Sequence, residues 1–360
     1  MIKLAILWHN HQPYYKNFAD GSYLLPWVRL HAIKDYWGMV YMLREFPQIR
    51  QNFNLVPSLL DQLQDYATGQ AKEAMLDLSL APAIKLSEAD KSYLLRYFFY
   101  TNKNVIERFP RYLELLEKRG IHGTGEDMEK ARARFTIQDY LDLQVLQKVA
   151  WMDEEYLEKD PELIKLLEKG RHFDENDKVI LREKELELLQ RVVPEYQEAA
   201  ARGQIEVSVS AFYHPILPLL VSSRVARESQ PSVELPMSEF SHPEDARLQI
   251  LRALDYHKKI FGENPVGFWP SEGSVSETIL PLLAEAGIRW IGTDEEILLH
   301  SIEKGPVHDK ARWCADHLYS PYSRDFGEGQ ISIVFRDHVL SDLIGFSYSR
   351  IPAEQAASDF

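Results

Sequence analysis

The chain has 360 residues, 45% of them hydrophobic and 27% charged, and its 55 acidic against 41 basic side chains give a net charge of −14. This is the make-up of a globular protein with room for one large core, and the acidity excludes recognition of a nucleic acid, which needs clustered Lys and Arg. A single cysteine, Cys314, excludes an internal disulfide and a multi-thiolate metal site; with no signal-like leader and no apolar run of membrane length, the expected location is the cytoplasm.

Ile2 to Trp8 reads as a buried strand that delivers His9, Asn10, His11, Gln12 and Pro13 to its end. A period of two puts His9 and His11 on one side. An aromatic-rich loop with Tyr14, Tyr15, Tyr23 and Trp27 leads to a helix from His31 to Phe46, and Phe53 to Val56 forms a short strand ended by Pro57. From Ser58 to about Arg202 the periodicity is helical, as in Ile137, Tyr140, Leu141, Leu143, Leu146 and Val149. Because strands resume afterwards, residues 58–202 are expected to be an insertion in one catalytic domain spanning 1–360. The charge run Arg182 to Glu187 within it is expected to be a solvated helix face.

Gly203 to Ser210 alternates, with Ile205, Val207 and Val209 on one side and Glu206, Ser208 and Ser210 on the other, and runs into His214-Pro215. A helix opens at Pro243 and closes near Gly262. Pro265 to Trp269 is a further strand, and past it stands Glu272. The spacing of Ser274 and Glu277 predicts a capping box for a helix whose apolar face is Ile279, Leu280, Leu283 and Ala286, stopped by Gly287. Arg289 to Gly292 delivers Thr293, Asp294, Glu295 and Glu296. Gln330 to Phe335 delivers Arg336 and Asp337, with Asp342 beyond, and a helix starts at Ile351.

Strands alternating with helices, with polar residues gathered at strand carboxyl ends, predict an α/β fold with a parallel sheet, a barrel in preference to an open sheet. No Gly-rich phosphate loop is present. Six strands are too few for a complete eight-stranded barrel.

Glycoside hydrolysis needs two carboxyl groups about the scissile bond. Glu272, on a connection beside Trp269, is the candidate for one, against a plain reading as a solvated loop acid. Asp294, Glu295, Glu296, Asp337 and Asp342 are candidates for the other. His11 and His214 suit hydrogen bonds to sugar hydroxyls, and Trp269 suits stacking on a sugar ring, although each also fits a structural role. The competing chemistry is a metal hydrolase in which His9, His11 and His214 with an aspartate hold zinc. A non-catalytic carbohydrate-binding barrel is the third reading.

His11-Gln12-Pro13, the segment from Gly203-Gln204-Ile205-Glu206 to His214-Pro215, and Trp269-Pro270-Ser271-Glu272 resemble the first three conserved regions of glycoside hydrolase family 57, in its amylase and amylopullulanase-like members. Phe53 to Leu60, Gly287 to Ile291 with Thr293 to Glu295, and Phe335-Arg336-Asp337 with Ser341 to Phe346 are similar too, so the likeness covers essentially the whole chain. The resemblance implies an incomplete seven-stranded (β/α) barrel acting on α-glucans with retention, and no organic or metal cofactor. Carried over by position, Glu272 is the nucleophile, His11, Gln12, His214 and Trp269 form the sugar subsite, and Asp294, Arg336 and Asp337 are further pocket groups. The family's acid/base aspartate lies in an Asp-Gly-Glu-Asn-like fourth region. No such run occurs here, and the 360 residues are expected to be the front part of a longer enzyme.

Overall fold

The computed structural model describes residues 3–120, 125–303, 309–326 and 329–360. Nine strands occur in it: β1 Leu7–Asn10, β2 Ser22–Tyr23, β3 Gln51–Leu55, β4 Lys72–Glu73, β5 Ile205–Ser208, β6 Gly267–Phe268, β7 Trp290–Asp294, β8 Tyr322–Asp325 and β9 Gln330–Arg336. The chain divides into two compact units, one of Met1–Pro13, Gln51–Ser58 and Glu206–Phe360, the other of Tyr14–Arg50 and Leu59–Ile205. Among the described residues no helix is long and apolar enough to cross a membrane.

The first unit holds the two larger sheets. β1, β3 and β5 are neighbours in one, and β6, β7, β9 and β8 in the other. A parallel bridge between Val209 and Phe268 joins them. β1 with β3, β6 with β7, and β7 with β9 pair in parallel, so the strands stand side by side in chain order, as barrel strands do. This is the expected α/β class. The surprise is β8, unforeseen in the sequence, which lies antiparallel along β9 and gives the sheet an antiparallel edge.

Two boundaries move for a physical reason. The predicted strand Ile2 to Trp8 begins outside the described residues, and Lys3 to Ile6 are not strand; pairing starts at Leu7 because its partner β3 starts at Gln51, in the register Leu7 to Asn52. His9 and Asn10 therefore lie inside β1 instead of beyond it. The Ser274–Glu277 capping box does not form. That helix runs Leu280–Glu285, with Pro281 in its first turn. A helix from Ser274 would have placed Pro281 in its interior, where the ring clashes with the preceding turn and a backbone donor is lost. Ile279 and Leu283 are fully buried as predicted and pack with Val209, Phe268, Ile291 and Ile331 in the core of this unit. The helix Pro243–Phe261 closes on Gly262 in a left-handed conformation, as read, and the last helix is Ala353–Asp359.

The second unit is helical apart from the two-residue parallel pair β2 and β4. Its first helical run, Trp27 to Glu45, starts four residues before the prediction and contains a π-turn at Ala32–Tyr36. At its centre lies Ile137–Ala150, opened by a capping box of Thr136 and Asp139, with every residue from Asp139 to Ala150 buried. The long helix Glu175–Ala201 corrects the reading of the charge run. Glu185 is fully buried, because the helical period puts it in line with buried Leu181, Leu188 and Val192. Its carboxylate receives Arg29 Nη1 at 2.6 Å, Lys148 Nζ at 2.7 Å and Arg182 Nη1 at 3.1 Å. Arg29 also forks onto Glu73 at 2.6 and 3.2 Å. Only part of the run, notably Glu183, is exposed.

Candidate active site

Glu272 sits on a one-turn 3-10 segment, Ser271–Gly273, just past β6. Its backbone is left-handed, at φ 56° and ψ 22°, and Gly273 follows at φ 68°. For a residue with a Cβ this conformation costs roughly 1–2 kcal/mol. The surroundings hold it in place: the Gly273 amide donates to the Pro270 carbonyl at 2.8 Å, and Thr293 Oγ1 on β7 donates to the Gly273 carbonyl at 2.6 Å. The result is a carboxylate side chain 70% exposed on an otherwise buried turn. His214, past the end of β5, is the second strained residue here, at φ 58°.

Three imidazoles face this turn. His11 and His214 stack with ring centres 4.0 Å apart, His9 and His214 at 4.9 Å, and His9 and His11 at 5.9 Å. The strand period does bring His9 and His11 to one side. Trp269 tilts against His9 at 5.9 Å. Its ring rests on Gly292 of β7, where an added Cβ would come within 3.2 Å of it. His214 Nδ1 lies 3.7 Å from the Glu272 carboxylate. Burial, reinforced by the charge of His9, pushes His11 down to about 4. Burial and the two other rings push His214 down to about 3. In His9 burial likewise lowers the value, outweighing the charge of Glu272. The shifts of all three rings favour the neutral form at pH 7. His11 Nδ1, His214 Nε2 and Ser271 Oγ are buried without a hydrogen-bond partner among the described residues.

The zinc alternative finds no support in this geometry. Stacked rings spread their lone pairs over parallel planes instead of converging them on one point. Among the described residues no group of three or more His, Cys, Asp or Glu is placed to hold a metal ion.

Asp294, Arg336 and Asp337 form a second cluster, at the ends of β7 and β9. Asp294 receives Arg336 Nε at 2.7 Å and lies 3.1 Å from His338 Nδ1. Burial would raise its carboxyl, but the Glu296 amide and Arg336 hold it below the usual range. His338 Nε2 is 3.1 Å from Asp342. Asp337 caps the helix His338–Asp342 through the Leu340 amide and accepts from Tyr319, both at 2.8 Å. Gln12 lies half-buried in the segment after β1. The residues missed in the sequence are Asn54, Ser208 and Ser210, all fully buried beside His9. A polar Asn54 within the apolar run Phe53 to Val56, and serines two apart on one strand face, were the available signals.

The model of glycosyl hydrolase family 57 matches residues 5–360. The chain belongs to this family. It is 30% identical over 112 residues to Alpha-amylase 1 of Dictyoglomus thermophilum, an alignment covering 30% of the chain and 13% of that protein. A solved alpha-amylase from Thermotoga maritima aligns at 14% identity with a TM-score of 0.46, over 94% of this chain and 46% of its own. For the 4-alpha-glucanotransferase of Thermococcus litoralis the figures are 16%, 0.44, 98% and 30%. For a branching enzyme of Pyrococcus horikoshii they are 15%, 0.45, 93% and 47%. The chain thus spans half or less of the length of these relatives.

Proposed function

We propose that this chain acts on α-glucans with retention of configuration, through Glu272 as the nucleophile. The observation that carries the reading is the strained turn that holds the Glu272 carboxylate out toward neutral His9, His11 and His214 beside the face of Trp269. A displaced sugar needs a carboxylate at its anomeric carbon, donors for its hydroxyls and a flat apolar wall, and this cluster supplies each. His11, His214, Trp269 and Gln12 form the sugar subsite. Asp294, Arg336 and Asp337 support its rim, and their engagement in caps and ion pairs favours that role over direct proton transfer.

The test is covalent trapping with a fluorinated α-glucosyl fluoride, whose fluoride departs without a general acid. Mass spectrometry should find one sugar adduct on the Glu272 peptide of the wild type and none in Glu272→Gln. An adduct on another carboxylate, or none, overturns the assignment. Parallel assays of starch hydrolysis with Asp337→Asn and Asp342→Asn show whether either supplies the proton, as loss of a general acid is typically worth about 10²–10⁴-fold.

A further inference from the structure

Hydrogen-bond accounting around Asn54 fixes the proton of His9. One end of the Asn54 amide lies 2.7 Å from His9 Nδ1 and 3.0 Å from Ser210 Oγ, and the other end lies 3.2 Å from Ser208 Oγ. Ser210 Oγ is also 2.7 Å from the main-chain carbonyl of Trp269. A carbonyl oxygen can only accept, so the one hydroxyl proton of Ser210 is committed to Trp269. If the amide oxygen faced Ser210 and His9, two acceptor oxygens would compete for that proton. Ser208 would then be left donating to the Phe53 carbonyl at 3.4 Å. A half-turn of the amide removes the conflict: its NH₂ donates to Ser210 Oγ and to His9 Nδ1, while its oxygen accepts from Ser208. Both serines, both ends of the amide and Nδ1 of His9 then each have a partner of the right kind.

We infer that Asn54, oriented by Ser208 and Ser210, holds His9 as the neutral tautomer with its proton on Nε2, making His9 a hydrogen-bond donor toward the open side of the site. Asn54 is fully buried and cannot meet substrate, so it is a positioning residue. His9 lies deep enough in the surrounding protein for its charged form to be desolvated, yet its side chain keeps a solvent-accessible face, and its Nε2 has no partner among the described residues. The ligand it suits is a neutral acceptor such as a sugar hydroxyl oxygen. That last step rests on the proposed α-glucan reading; the proton assignment does not.

The tautomer is read by two-bond ¹⁵N–¹H correlation on protein labelled at histidine nitrogen, with no sugar present. The expected pattern is a protonated Nε2 and a bare Nδ1 for His9. A protonated Nδ1 overturns the inference. Asn54→Asp offers only acceptors and should move the proton to Nδ1; an unmoved tautomer in that variant overturns the role of Asn54. Ser210→Ala, a smaller change, should let the amide turn and populate both tautomers, which keeps the test open should Asn54→Asp fail to fold. Maltooligosaccharide affinity should fall about tenfold in Asn54→Asp, the loss expected of one hydrogen bond to a polar partner. Unchanged affinity with a moved tautomer overturns the donor role alone. Failure of the wild type to bind any maltooligosaccharide strikes instead at the α-glucan reading.

Discussion

The buried charges around Glu185 make an asymmetric prediction. Arg29, Lys148 and Arg182 supply three cations, and Glu73 and Glu185 two anions, with Arg29, Lys148 and Glu185 at 0–1% side-chain exposure. Burial pushes Lys148 from its ordinary 10.5 to about 8 despite the attraction of Glu185, a drop worth roughly 3 kcal/mol against the charged form. Glu185 goes the other way: burial would raise it, but Lys148 and Arg29 hold it well below the carboxylate range. Glu185→Gln therefore strips the anion shared by three cations and should cost about 3–5 kcal/mol, as for other broken buried pairs. Lys148→Met removes the surplus cation and fills its space, so its effect should stay within about 1.5 kcal/mol and can be stabilising. The pH dependence separates the cases further. Lys148 has the lower value in the folded state, so between about pH 8 and 10.5 the unfolded chain holds the extra proton and wild-type stability gains with rising pH. Lys148→Met should lose that gain. Urea denaturation followed by far-UV circular dichroism, at pH 7 and from pH 8 to 10, measures both effects. Equal losses in the two variants, or an undiminished pH gain in Lys148→Met, would refute the reasoning.

Glu272→Gly should abolish sugar trapping while raising stability by about 1 kcal/mol, since glycine adopts the left-handed turn without strain; a stability loss in the urea midpoint would contradict the strain argument. Acid should weaken the first unit. His11 and His214 have folded values of about 4 and 3, below the ordinary 6.5, so the unfolded state binds protons first and stability declines from pH 6.5 down toward pH 3. His11→Gln should show a shallower decline than wild type in urea midpoints between pH 7 and 4.5. In the second unit, Gly38→Ala puts a methyl 2.0 Å from an Asp153 carboxylate oxygen, so it should destabilise by about 1–3 kcal/mol although alanine is the better helix former. A thermal midpoint at or above wild type would show that Asp153 moves aside freely.

How much of this was legible in the sequence depended on whether the cause was local. Pro243 and Gly262 bound a helix through their own backbone preferences, and the helix is there. Glu272, His11, His214 and Trp269 were visible because each stands beside a strand end marked by apolar runs and prolines. What failed were features decided by a partner far along the chain. The start of β1 is set by where β3 begins, and β8 exists only because β9 offers it an edge. Glu185 reads as one more acid in a charged run. The helical period that puts it on the buried face is local, but what lets a carboxylate stay there is Arg29 and Lys148, 156 and 37 residues away. Asn54 and the two serines likewise acquire meaning only when β1, β3 and β5 lie side by side.

The neutrality of the histidines bears directly on the role proposed for Glu272 as nucleophile. An imidazolium 3.7 Å from the carboxylate would form an ion pair with it and lower its reactivity toward an anomeric carbon. Burial opposes this at all three rings, and at His11 and His214 the neighbouring rings, 4.0 to 5.9 Å away, add to it because a proton on one repels a proton on the next. A neutral imidazole still carries one N–H that can donate to a neutral hydroxyl. A left-handed turn carries the exposed carboxylate, burial with stacking disfavours charge on its neighbours, and Asn54 sets which nitrogen of His9 carries the proton. The segments that lead into the two strained residues are anchored by Val209, Ala211, Phe212 and Phe268, which pack in one core with Ile291. Loosening that core, for example by Ile291→Ala, should therefore cost sugar trapping before it costs the fold.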